Sequence, residues 1–138
     1  MTLDSMALAA DLRRDEGVRL KPYTDTVGKL TIGVGRNLSD VGLSGGEVDA
    51  LLANDIARVI AELDHALPWW RTLSEARQRA LANMAFNMGV PTLLTFHITL
   101  GHLQAGRFDA AAESALASRW ASQVGARANR IAALLKAG

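Results

Sequence analysis

Three residues near the start of the chain, Glu16, Asp25 and Thr31, have types and spacings that could perform acid–base chemistry. Glu16 falls in the last turn of a predicted first helix, where the negative end of the helix dipole disfavours an ionised carboxyl and favours the acid. A carboxylic acid can protonate an oxygen leaving group, and glycoside hydrolysis pairs such an acid with a second carboxylate on the other side of the scissile bond. Asp25, in a predicted turn, is the obvious second carboxylate. Thr31 carries a hydroxyl able to hold a water, on the strand face opposite Leu30 and Ile32. Residue type alone leaves plainer readings open. A glutamate before a glycine is more often a solvated helix end, and a strand threonine is more often only a β-former.

The elements that must position these groups follow from pattern. Ser5, Leu8, Ala9 and Leu12 recur at helical spacing, which predicts a helix over Leu3 to Glu16 with Gly17 as its stop and Glu16 on its buried side, four positions after Leu12. From Val18 to Leu38 the period becomes two, which predicts a β-hairpin turning at Asp25-Thr26-Val27-Gly28; Leu30, Ile32 and Val34 are expected to face the core and Thr31 the cleft. Ser44 and Glu47 form a capping box, with Leu43 and Val48 as its hydrophobic staple. The helix that begins there carries Val48, Leu51, Leu52, Ile56, Val59, Ile60 and Leu63 inward until Pro68 forbids continuation. Ser74 caps a further helix to Met88, and shorter ones are expected at Leu93 to Ala105, Asp109 to Ala117, Ser118 to Ser122 and Ala126 to Ala137. The layout is α+β and mostly helical. It predicts a single domain over residues 1–138, with the first helix and a small β-hairpin lobe at 1–43, a long connecting helix at 44–67 and a helical lobe at 68–138. Two lobes imply a cleft, a common place for a ligand.

Composition is consistent with that layout. With 49% apolar and 21% charged residues the chain reads as one packed globule, and the absence of cysteine excludes disulfides and thiolate metal sites. The longest apolar run near the N-terminus, Met6 to Ala10, is shorter than a signal-peptide core or a membrane span, so no export route of its own is expected. Charge is uneven. Residues 1–68 hold seven Lys/Arg against eleven Asp/Glu, a net −4, and residues 69–138 hold eight against three, a net +5. A basic second half suits a polyanion, and field strength does not choose among nucleic acid, anionic lipid and bacterial wall.

The stretch from Asp15 through Glu16-Gly17-Val18-Arg19-Leu20-Lys21-Pro22-Tyr23-Thr24-Asp25 to Thr31-Ile32-Gly33-Val34-Gly35 resembles the signature of the phage lysozymes, the endolysins of glycoside hydrolase family 24. It sets a glutamate, an aspartate and a threonine at the family's separations, ahead of a glycine-rich strand. Asn83-Met84-Ala85-Phe86-Asn87-Met88-Gly89 and Ser118-Arg119-Trp120 are similar to later segments of the family. The resemblance implies a lysozyme-like fold that cleaves the β-1,4 bond between N-acetylmuramic acid and N-acetylglucosamine of peptidoglycan. It implies Glu16 as general acid, Asp25 as the carboxylate that activates or orients water, Thr31 as its partner and Arg127 as the arginine that pairs with the acid. Phe86, Asn87 and Thr99 match positions lining the saccharide groove.

Likeness to the T-even phage members of the family further implies inversion at the anomeric carbon. The segment from Gly35 to Ser44 is shorter than theirs, and Arg36 stands where they have a histidine, with Asp55 matching the aspartate near it. An Arg36–Asp55 ion pair is therefore expected. By the same likeness the protein acts as a monomer. It collects in the host bacterial cytoplasm and reaches the wall from the periplasmic side once a holin opens the membrane.

Other signals are weaker. Gly33-Val34-Gly35 lacks the third glycine of a dinucleotide fingerprint, since Leu38 stands there. His65, His97 and His102 lack metal-helix spacing, so neither metal nor cofactor is expected. Trp69, Trp70 and Trp120 read as structural, and the arginines of the last third lack the pattern of a nucleic-acid module. Two rival functions remain. A lytic transglycosylase needs the glutamate but no water-activating aspartate, and a silent wall-binding or membrane-active module would use only the basic half.

Overall fold

A computed structural model describes all residues 1–138. The chain forms two units by its internal contacts, Met1–Ala50 and Leu51–Gly138. The organisation is α+β and mostly helical, as expected. Its elements are α1 (Ser5–Glu16), β1 (Arg19–Thr24), β2 (Leu30–Gly33), β3 (Arg36–Asn37), α2 (Gly45–Ala66), a 3-10 turn (Pro68–Thr72), α3 (Glu75–Met88), α4 (Val90–Leu93), α5 (His97–Gln104), α6 (Phe108–Leu116), α7 (Arg119–Val124) and α8 (Ala126–Ala137).

In the first unit, α1 starts later than expected because Asp4, not the region of Leu3, supplies the cap: its carboxylate accepts from the Ala7 N–H. No residue of α1 is buried, so Leu8, Leu12 and Glu16 do not form the buried side that periodicity suggested. The predicted hairpin is a three-stranded antiparallel sheet in the order β1-β2-β3. Thr31 on the central strand pairs with Tyr23 on one side and Asn37 on the other.

The expected facing holds only in part, since Ile32 and Val34 are half-buried. Thr31 is buried while Leu30 is 45% exposed. Alternation identifies two faces but not which one is covered. The β2–β3 pairing runs on past the strand ends, with Leu38 N–H donating to the Leu30 carbonyl and Leu30 N–H to the Ser39 hydroxyl.

Helix α2 begins with the expected capping box: Glu47 N–H donates to Ser44 Oγ, and Ser44 N–H to Glu47 Oε1 at 2.8 Å. The staple is not formed as a buried contact, because Leu43 and Val48 are both exposed. Glu47 has a second task. Its two oxygens receive both ends of the Arg36 guanidinium at 2.8 Å, and Arg36 also donates to the Gly42 carbonyl. The expected Arg36–Asp55 pair is thus replaced by Arg36–Glu47, and Asp55 pairs with Arg58 one turn along its own helix. The reason is that Glu47 is already oriented by its cap, so a planar fork meets a pre-set carboxylate. The Arg36 hydrogen bond, then the Ser44 backbone and hydroxyl, lower the Glu47 carboxyl from 4.5 to about 2.

The second unit holds the apolar core. From α2 only Val59 and Leu63 are buried; Leu51, Leu52 and Ile56 of its predicted stripe stay about half exposed. Leu63, Leu81, Met84, Leu93, Leu103, Ile131 and Leu135 fill the centre. Ala111, Ala112 and Ala115 of α6 and Ala128 and Ala132 of α8 are buried where these two helices pack together, since small side chains let backbones approach. Trp70 and Trp120 are buried as structural residues, Trp70 donating to Asp64 at 2.7 Å. That bond and the Arg71 fork, the larger cause, hold the Asp64 carboxyl below its ordinary range.

The helix expected over Leu93 to Ala105 is broken. Pro91 starts the one-turn α4, and the Thr95 hydroxyl turns back to the Thr92 carbonyl at 2.6 Å, so the next helix begins only at His97. The last three helices lie within a residue or two of their predicted bounds.

Leu81→Ala is expected to cost about 2–5 kcal/mol in urea denaturation, whereas Leu20→Ala, at 90% exposure, is expected to stay within about 0.5 kcal/mol of the parent. Because the folded Glu47 carboxyl is lowered, its contribution is present above pH 4.5 and lost as pH falls to about 2. Thermal midpoints of the parent and Glu47→Gln should therefore differ near neutrality and converge across that window.

Candidate functional site

The first unit places Glu16, Asp25 and Thr31 around one sheet. Glu16 is the last residue of α1; Gly17 then leaves the helix, its N–H closing on the Arg13 carbonyl, and β1 begins at Arg19. The side chain is exposed. Its carboxyl lies against Gly35, where a Cβ would stand 2.9 Å from Glu16 Oε2. Glu16 therefore meets the link between β2 and β3 although the two are far apart in sequence.

Asp25 occupies the β1–β2 turn, as its residue type suggested. Its N–H donates to the Lys29 carbonyl, and its carbonyl accepts from Gly28. One carboxylate oxygen, Oδ1, accepts from the Val27 and Lys29 N–H groups at 3.0 and 2.8 Å. These bonds fix the carboxylate and leave Oδ2 with no protein donor. Thr31 donates its hydroxyl to the Lys29 carbonyl at 3.0 Å. A single residue thus ties two candidates: the Lys29 N–H orients Asp25, and the Lys29 carbonyl orients Thr31. The hydroxyl lone pairs of Thr31 and Oδ2 of Asp25 remain acceptors, suited to holding and deprotonating a water.

The second unit separates its four candidates into two places. Phe86 and Arg127 line a cleft of about 290 Å³ with Leu52, Ile56, Ile60 and Asn83. Phe86 is 43% exposed there. Arg127 donates through Nε and Nη2 to Asn83 Oδ1 at 2.9 and 2.8 Å, which sets its guanidinium plane. Thr99 is buried, in a second cleft of about 490 Å³, and shares a 2.8 Å hydrogen bond with Ser114. Asn87 accepts from Trp120 Nε1 at 2.9 Å, and Trp120 lines that same cleft.

Four residues with a part in these arrangements were not singled out by sequence reasoning. Asn83 sits one helical turn before Asn87, a spacing that could have suggested a shared face. Lys29 and Ser114 act through a backbone group and a long-range pair, and neither leaves a local signal. Gly35 has one, the paired glycines of Gly33-Val34-Gly35, which mark a glycine-rich strand but not its closeness to Glu16.

The chain is similar to proteins of one known family. Residues 13–136 match the family described as phage lysozyme. The chain is 32% identical to the pre-baseplate central spike protein of Enterobacteria phage T4, over 97% of the chain but only 28% of that protein's length. It is 27% identical to probable T4-type lysozyme 1 of Dictyostelium discoideum, over 92% of each. An endolysin of Acyrthosiphon pisum secondary endosymbiont phage 1 is 32% identical over 72% of the chain and 68% of its own length.

Proposed function

The chain belongs to the phage lysozyme family and is a glycoside hydrolase of the lysozyme type; we propose that it cleaves the β-1,4 bond between N-acetylmuramic acid and N-acetylglucosamine in peptidoglycan with inversion. Glu16 is the general acid and protonates the leaving oxygen. Asp25 accepts a proton from the water that attacks the opposite face, and Thr31 holds that water. One water is thereby added across the bond, with one proton given by Glu16 and one taken by Asp25. The resemblance assigns a role beside the acid to Arg127, whose guanidinium is bound by Asn83, and saccharide binding to Phe86, Asn87 and Thr99.

The observation that carries this reading is the Asp25–Lys29–Thr31 arrangement. A carboxylate with one oxygen bound by two N–H groups and the other free, joined through one residue to a hydroxyl, suits activation of water. A lytic transglycosylase would have no use for it. The same chemistry serves a free endolysin, acting as a monomer on the wall after holin-mediated release, and a lysozyme unit carried within a larger protein. Endolysin action in host lysis is the reading favoured here, because a phage endolysin is among the relatives, 32% identical over 72% of the chain.

Glu16→Gln and Asp25→Asn are each expected to lower turnover of purified peptidoglycan by about 10²- to 10⁴-fold while the fold is kept. The first sugar anomer released, followed by NMR, should be inverted. A retained anomer would overturn inversion, a 1,6-anhydro product would overturn hydrolysis, and full lysis by Glu16→Gln would leave membrane disruption as the better account.

A further inference from the structure

Two glycines flank Val34 in the link between β2 and β3, and they differ in one respect. Gly33 and Gly35 have nearly equal positive φ, +68° and +66°, a region that L side chains rarely adopt. A Cβ at Gly33 meets nothing within 4 Å. One at Gly35 lies 2.9, 3.1 and 3.3 Å from Oε2, Cδ and Cγ of Glu16. We infer that Gly35 is a positioning residue for Glu16: its missing side chain makes the space in which the acid's carboxyl rests. This rests on the reading of Glu16 as the general acid.

The link cannot easily withdraw to make room. Arg36, the next residue, is held by the bidentate contact to Glu47 and by its bond to the Gly42 carbonyl, and it pairs with Ile32 across the sheet. Glu16, by contrast, is exposed, so its side chain is the partner that yields. An added methyl at position 35 therefore turns the carboxyl away at little energetic cost beyond that of the backbone. The fold tolerates the change and the chemistry does not, because a displacement of about 1 Å in a catalytic group can cost on the order of a hundredfold in rate.

The two positions form a matched pair, nearly equal in φ and unequal in contact with Glu16. Gly33→Ala and Gly35→Ala are expected to lower the thermal midpoint by similar amounts. On soluble peptidoglycan fragments, Gly35→Ala should lower kcat by about tenfold to a hundredfold with KM within about twofold of the parent, and Gly33→Ala should leave both within about twofold. Equal kcat for the two variants overturns the inference, as does a Gly35→Ala effect confined to KM, which would mean direct contact with substrate. Unfolding of Gly35→Ala alone also overturns it, since Glu16 would then have failed to yield. If both alanine variants unfold, Gly33→Asn and Gly35→Asn give the same comparison, because asparagine tolerates positive φ while keeping a Cβ. Glu16→Gln, assayed alongside, separates the two failures. Full turnover there removes the acid role itself, whereas an inactive Glu16→Gln beside equal alanine variants removes only the part of Gly35.

Discussion

Glu47 accepts from both ends of the Arg36 guanidinium and from the Ser44 N–H, so one carboxylate completes a helix cap and fastens a strand. Much of the first unit depends on this double use. The unit buries only Thr31, and its apolar side chains Leu20, Leu30, Val41 and Val48 are exposed. Order there comes from directed polar contacts. Lys29 and Asn37 reach Asp40, Ser39 closes on Leu30, and Asp25 holds its own turn. Charge-assisted bonds with fixed geometry can supply such order where burial does not.

That dependence explains which parts of the molecule could be read from the chain. The Ser44–Glu47 box, the Asp25 turn and the Ser74 cap are local, since each is complete within four or five residues, and each forms as expected. The partner of Arg36 is not local. Asp55 and Glu47 are both acidic and both on α2, and the choice fell to the one whose oxygens the cap had already aimed. The inward face of β2 was legible only in part for a related reason. Periodicity sorts Leu30 and Thr31 onto opposite faces, but which face is covered depends on what packs against it and not on the strand's own pattern.

The candidate site shows the same division. Glu16, Asp25 and Thr31 stand out because they resemble a family signature in order, and the arrangement around Lys29 supports the roles proposed for two of them. Lys29 itself was invisible because only its peptide groups take part, and backbone groups are the same in every residue. Arg127 was legible as a residue, while its support by Asn83 lies 44 positions away.

The two units thus use opposite means of holding side chains. In the second, buried Leu, Ile and Ala residues surround Trp120 and the Thr99–Ser114 pair, so a polar group is fixed by what packs around it. In the first, Glu16 is exposed and its carboxyl rests against Gly35. Its location follows from what is missing at Gly35 and from the anchoring of Arg36. A general acid must give up and regain a proton in each cycle, which calls for contact with solvent. Burial would restrict that exchange and would penalise the ionised form left after each protonation. On the role proposed for Gly35, a backbone with a vacant side-chain position locates the carboxyl without enclosing it, which meets both requirements.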